Sequence, residues 1–303
     1  RSHFGSSIRA QEACIHDSPR LCGCRTRLQT MAELGNASHF WGPIDAMHQF
    51  CEAKYDVSPY VAEFWNTVSN IPAFVLPGVY ALLRGRDVFD WRLGLVWLSM
   101  VVVGCGSFLF HLTMRFHCEM LDEVPMLLLV LSGLLTKDDT HWLSSGSRKT
   151  MLRVVGMVVC TGGMYLYLSR GVYEIFLWTF TAIILWDLGL AIACSSRPDG
   201  HGSWAARGCM IVYAISLGLG RLLWEVERSF CQAGEGGGLA WMHVAWHLLA
   251  GCACYFGILG DMHIRWAALG VGTAVDDPVR PWPLVSLLPE GWVRAGNGHA
   301  KGS

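Results

Sequence analysis

Charge is scarce in this sequence. Asp, Glu, Lys and Arg make up 16% of its 303 residues, against roughly a quarter in soluble domains. The two signs nearly cancel, with 23 basic and 24 acidic residues. No basic field exists to hold nucleic acid, and no nucleic-acid partner is expected. Internal repeats are missing too, so there is no sign of a repeat architecture. Residues 1–36 lack any long apolar run, and with it the core of a signal peptide; a disordered extension is expected there. The 12 cysteines are too scattered for a disulfide framework, and several fall within apolar stretches.

What fills the chain instead is hydrophobic sequence, 52% of all residues. Residues 37–61 are amphipathic and aromatic, and read as a short helix or loop at a membrane interface. After them come seven apolar runs, each near the roughly twenty residues needed to cross a bilayer. They lie near 62–84, 91–113, 119–136, 150–169, 172–194, 205–227 and 240–262, the third and fourth being the weakest. The fold class is therefore an all-α membrane protein with seven transmembrane helices. Residues 37–265 form its body, and 266–303 form a Gly- and Pro-rich tail expected to be poorly ordered.

Lys and Arg placement sets the orientation. Alternate loops hold Arg84, Arg86, Arg92, Lys137, Arg148, Lys149, Arg197, Arg207 and Arg265. The other set holds little beyond Arg115, Arg170 and Arg228. The first set is expected to be cytosolic, which puts the N-terminus in the lumen or outside the cell and the C-terminal tail in the cytosol. A glycosylation sequon, Asn36-Ala37-Ser38, falls on the side this predicts.

That topology gathers polar residues into one layer at the outer helix ends: Glu63 and Asn66, His111, Asp122, Glu225 and Glu227, and His243 with His247. The last two are four residues apart, so on a helix they project from one face. An isolated pair of this kind is more often packed core, but ionisable groups within spans are usually functional. With His111 they make a suitable set for catalytic zinc, which leaves a fourth position to water and lowers its pKa to about 7. Ser107 lies one turn before His111. It could assist at a reacting centre, or bond the carbonyl one turn back. Asp122 could act as a general base or orient a histidine. Glu123 reads as an interfacial helix start, and Arg221 as the i, i+4 partner of Glu225. Together these suggest metal-assisted hydrolysis of a bond in a lipid, with amide and ester both open.

At this point the chain resembles the alkaline ceramidases, within a larger set of seven-span hydrolases that includes the progestin and adiponectin receptors. The resemblance spans about residues 40–265. It rests on Trp41-Gly42-Pro43, the run from Ala62 to Asn70, Ser107-x-x-x-His111, Leu121-Asp122-Glu123 and His243-x-x-x-His247. It implies hydrolysis of ceramide to sphingosine and a fatty acid, in the membrane of the endoplasmic reticulum or Golgi. Zinc would be held by His111, His243 and His247, with Ser107 stabilising the reacting centre and Asp122 handling the proton. Cys51 and Cys231 match a family disulfide.

The resemblance further implies a calcium site, tentatively Gln49, Phe50 through its carbonyl, Glu52 and Glu63. Gln49 replaces an expected Asp, and Lys54 replaces an expected Asn. Lysine has no acceptor for calcium, so calcium is retained, lost, or replaced by the Lys54 ammonium between Glu52 and Glu63. A zinc-stabilised receptor or lipid-binding protein without hydrolase activity is the alternative function.

Overall fold

A computed structural model describes residues 39–85, 89–137, 145–195, 204–233 and 239–268. The expected extension 1–36, the sequon and nearly all of the tail lie outside them. Two compact units divide after Asp45. Residues 39–45 belong to the first, and everything below concerns the second.

Helices carry the architecture; among the described residues the only strand-like pairing is one isolated bridge, Ser58 to Val61. Residues 46–61 form an irregular segment. Next comes a rod made of α1 (Phe64–Asn70), a π-helical turn (Ile71–Val75) and α2 (Leu76–Gly85). Then follow α3 (Trp91–Thr113), α4 (Phe116–Thr136), α5 (Gly146–Arg170), α6 (Tyr173–Ser195), α7 (Trp204–Ala233) and α8 (Trp241–Ala268). Local sequence explains the ends. Asp90 accepts a bond from the Leu93 amide at 3.2 Å and starts α3. Gly171, in the left-handed region at φ 61°, closes α5 as only glycine does without strain. Met114 ends α3 in the same region. Only Met114 and Arg115 separate α3 from α4, so the two helices form a hairpin.

Five helices, α3, α5, α6, α7 and α8, are long and apolar enough to cross a membrane. The fourth run, expected to be weak, is among them. The first rod falls short because the π turn around Pro72 divides it. Helix α4 is long enough but carries Glu119, Asp122 and Glu123 in its first turns. Side chains such as Val158, Leu185 and Leu222 are 59–62% exposed. An apolar outer surface of that kind is what lipid would cover.

Two glycines set the close approaches that matter. A Cβ on Gly251 of α8 would lie 2.2 Å from the Ala73 carbonyl in the π turn. One on Gly106 of α3 would lie 1.9 Å from the Leu121 carbonyl of α4. Only backbone can come that close, so α8 seats against the first rod and α3 against the start of α4.

The expectation of a single polar layer needs correction. Asp187 and Asp261, both within expected spans, join Lys137 at the far end of the bundle. The fully buried Lys137 ammonium donates to Asp187 Oδ1 at 2.9 Å and Asp261 Oδ2 at 2.6 Å. Thr136 adds a bond to Asp261 Oδ2 at 3.1 Å. Arg265 is likewise buried and meets Asp90 at 2.5 Å. Two basic residues counted as loop charges are therefore buried ion-pair partners. Position along the chain places both at helix ends, and only the fold shows their partners.

Candidate active site

The chain reaches the site first through its irregular segment. The Ala62 and Glu63 amides bond the Leu112 and His111 carbonyls, both at 2.9 Å. This pins the start of α1 to the end of α3. Helix α1 begins without a side-chain cap from its own neighbours. Glu52 supplies one from upstream, accepting from the Trp65 amide at 2.7 Å and the Asn66 amide at 2.8 Å. Burial pushes the Glu52 carboxyl up, and these two amides oppose that shift.

His111, His243 and His247 converge. Each offers a ring nitrogen, and these nitrogens lie within 4.8 Å of one another. All three rings are buried. Their tautomers follow from their partners. His111 Nδ1 is 2.6 Å from Glu63 Oε2. His243 Nδ1 is 3.1 Å from Glu227 Oε2. Both oxygens accept, so both Nδ1 atoms carry the proton. His247 Nδ1 is 2.7 Å from Ser69 Oγ, whose own proton goes to the Asn66 carbonyl at 2.9 Å. Ser69 must therefore accept as well. In its neutral form each ring then keeps a lone pair on Nε2, and the Nε2 of His111 is buried without a hydrogen-bond partner. Three buried imidazoles with partnered Nδ1 atoms and ring nitrogens this close fit a metal ion, and zinc in particular.

Cys51 and Cys231 form the expected disulfide, with Cα atoms 5.4 Å apart. Helix α7 runs past the expected end at 227 and carries Cys231 on its last turn. The Cys51 amide also donates to Glu227 Oε1 at 3.0 Å, so the disulfide segment steadies the carboxylate that orients His243. These two sulfurs and Glu227 lie close enough to suggest a second metal cluster, but both sulfurs are spent in the disulfide.

The tentative calcium ligands separate. Lys54 Nζ donates to the Phe50 carbonyl at 2.8 Å, to the Glu52 carbonyl at 2.9 Å, and to Glu63 Oε1. Glu52 contributes its main chain there, because its carboxylate is committed to α1. Gln49 is exposed. Glu63 thus bridges the Lys54 ammonium and His111, and accepts from Asn66 Nδ2 at 3.0 Å.

Ser107 and Asp122 interact across the α3–α4 hairpin, at the place where Gly106 admits the α4 backbone. Both line a cavity with His243, His247 and Phe50, whose walls are otherwise largely apolar. The cavity continues to Asp187 and Asp261. Phe50 packs 3.7 Å from the His243 ring, centre to centre, and screens the histidines. Arg221 pairs with Glu225 at 2.8 Å, as expected, away from the histidines.

Four contributors escaped the sequence reading. Ser69 lies in the matched run from Ala62 to Asn70, but nothing in the sequence singles it out as a histidine partner. Glu227 was noted for its depth but not its role. His48, stacked on Tyr173 at 4.0 Å, is held neutral, its pKa pushed down to about 3 chiefly by burial. Glu123 was read as an interfacial helix start, yet it is buried and lines the cavity. A carboxylate beside Asp122 in an apolar segment was the available clue.

Fold and site together define a helical, multi-pass membrane protein with a buried three-histidine centre beside a carboxylate. A model of the family described as Ceramidase matches residues 42–290, and the chain belongs to that family. It is 27% identical over 271 residues to mouse alkaline ceramidase 3, covering 86% of this chain and 99% of that one. The alkaline ceramidase of Arabidopsis thaliana is 27% identical over 201 residues, 64% of this chain and 74% of its own. Human alkaline ceramidase 1 is 25% identical over 220 residues, 69% and 79% of the two chains.

Proposed function

We propose that this protein hydrolyses the amide bond of ceramide, giving sphingosine and a free fatty acid, with zinc held by His111, His243 and His247. The observation that carries the reading is the convergence of ring nitrogens from His111, His243 and His247 to within 4.8 Å of one another, at a cavity that Asp122 lines with His243 and His247. Zinc, when bound, would supply Lewis acidity and a lowered water pKa. The remaining work belongs to the chain. Asp122 takes a proton from the attacking water and returns it to the departing amine nitrogen, so that amide and water become acid and amine. Ser107 has a single proton to give. It donates to the Asp122 carboxylate first. Once Asp122 is protonated, Asp122 becomes the donor, and the Ser107 hydroxyl is released to the developing oxyanion. The apolar cavity takes lipid chains from the bilayer.

In this reading the Lys54 ammonium stands where the resemblance places calcium, touching the Phe50 carbonyl and Glu63 as an ion would. The chain spans the membrane seven times with its N-terminus outside and resides in the endoplasmic reticulum or Golgi membrane. The choice of hydrolase over receptor is supported by Asp122 and Ser107, which a purely structural metal site does not need.

The test is purified protein assayed on ceramide before and after removal of its metal, with metal content measured on the same samples. Activity that follows zinc content is the expected result. Full activity in metal-free protein would overturn the reading. Glycosylation reporters at the two termini test the orientation, with modification expected at the N-terminus alone.

A further inference from the structure

Glu123 is the buried acid that the proposed chemistry leaves unused. It is 3% exposed, and it lines the cavity with Ser107, Asp122, His243 and His247. Its Oε1 accepts from the Tyr167 hydroxyl at 3.3 Å. Its Oε2 is buried and has no hydrogen-bond partner. An orphaned carboxyl oxygen inside an apolar bundle is costly and is kept where something binds it. Successive helix residues point about 100° apart, so Asp122 meets Ser107 of α3 while Glu123 turns to Tyr167 of α5. The two acids occupy different sides of the same cavity end.

We propose that Glu123 recognises a hydroxyl group of the substrate. The inference rests on the ceramide reading above. Ceramide carries two hydroxyls within a few bonds of its amide nitrogen, and the rest of it is hydrocarbon. A hydroxyl both donates and accepts, so it pairs with a carboxyl in either protonation state. The apolar side chains around the cavity, such as Phe50, Val103 and Phe110, offer it no competing partner. With the amide held beside Asp122, a hydroxyl bonded to Glu123 Oε2 fixes the rotation of the head about the chain axis. Amides without that hydroxyl would leave Oε2 orphaned, and sites built to bond a hydroxyl reject analogues that lack it.

The experiment measures kcat/KM of wild-type, Glu123→Leu and Glu123→Gln protein on ceramide and on two analogues, one without the secondary hydroxyl and one without the primary. Wild-type protein should lose roughly ten- to hundredfold on one analogue. Glu123→Leu should lose as much on ceramide and nothing further on that analogue. Glu123→Gln, whose amide can also pair with a hydroxyl, should keep most of the activity. Equal loss by Glu123→Leu on all three substrates would mean that the carboxyl only ties α4 to α5, and would overturn the inference. Wild-type protein indifferent to both hydroxyls would overturn it too, with no variant needing to fold. Wild-type protein that cleaves none of the three overturns the ceramide reading itself, an outcome distinct from both.

Discussion

The cavity has two polar ends built on opposite principles. His247 and Asp261 lie fourteen residues apart on α8, about 21 Å at the rise of an α-helix. At the Asp261 end, opposite charges meet: Lys137 joins Asp187 and Asp261, and so fastens α4, α6 and α8 together, with Asp261 Oδ1 left without a hydrogen-bond partner. At the His247 end, the partners are arranged to leave something over. Each histidine has its Nδ1 held by Glu63, Glu227 or Ser69, and the Nε2 of His111 is buried with no hydrogen-bond partner. An ion-paired cluster serves as structure by fastening helices. Three imidazoles brought together offer ligand atoms to a metal ion, and that difference sets the His247 end apart as the candidate site.

Substitutions at the two ends should therefore fail differently. The largest effect is expected from His247→Ala, which removes one of three ligands; bound metal and turnover should vanish together, read by elemental analysis and ceramide hydrolysis. Asp122→Asn keeps the shape and removes the proposed base. Turnover should fall by about a hundred- to ten-thousandfold while metal stays bound. If Asp122→Asn matches wild-type turnover, the proton is handled elsewhere. Glu227→Gln should weaken metal affinity by roughly ten- to a hundredfold, measured by competition with a chelator, with less effect at saturating zinc. At the Asp261 end, Lys137→Met leaves two carboxylates facing each other. It should cost about 3–5 kcal/mol of stability, seen as a lower Tm, while folded protein retains its metal. Loss of metal from folded Lys137→Met protein would erase the distinction between the ends. The smallest effect is expected from a calcium chelator that spares zinc. With Lys54 in place it should leave activity unchanged, and Lys54→Asn should introduce a calcium requirement.

The histidine end was legible because metal ligands on a helix have a spacing. His243 and His247 repeat at one helical turn, and α3 matches its expected run residue for residue at 91–113. Ser69 and Glu227 were illegible as partners because no sequence rule links a residue on α1 or α7 to a histidine on α8. The Lys137 cluster escaped for the opposite reason. Lys137 sits at a helix end, where a lysine reads as a loop charge, and only the fold shows two aspartates waiting for it. Glu123 shows a third kind of limit. Its neighbour Asp122 had a role to claim, and an acid at a helix start has an ordinary explanation close at hand.

Gly106 has a consequence for how variation in this protein is scored. Gly106→Ala adds one methyl group in the middle of a helix, where alanine is the better helix former by about 1 kcal/mol. By composition and propensity it ranks among the mildest changes available. Yet the added carbon would fall 1.9 Å from the Leu121 carbonyl, and the α4 backbone would have to retreat, taking Asp122 away from Ser107. A substitution that touches neither metal nor lipid would thus behave as a loss of the base: helix content and zinc unchanged, catalysis impaired. Tolerance at such a position is decided by backbone proximity, a property that residue-similarity tables do not contain.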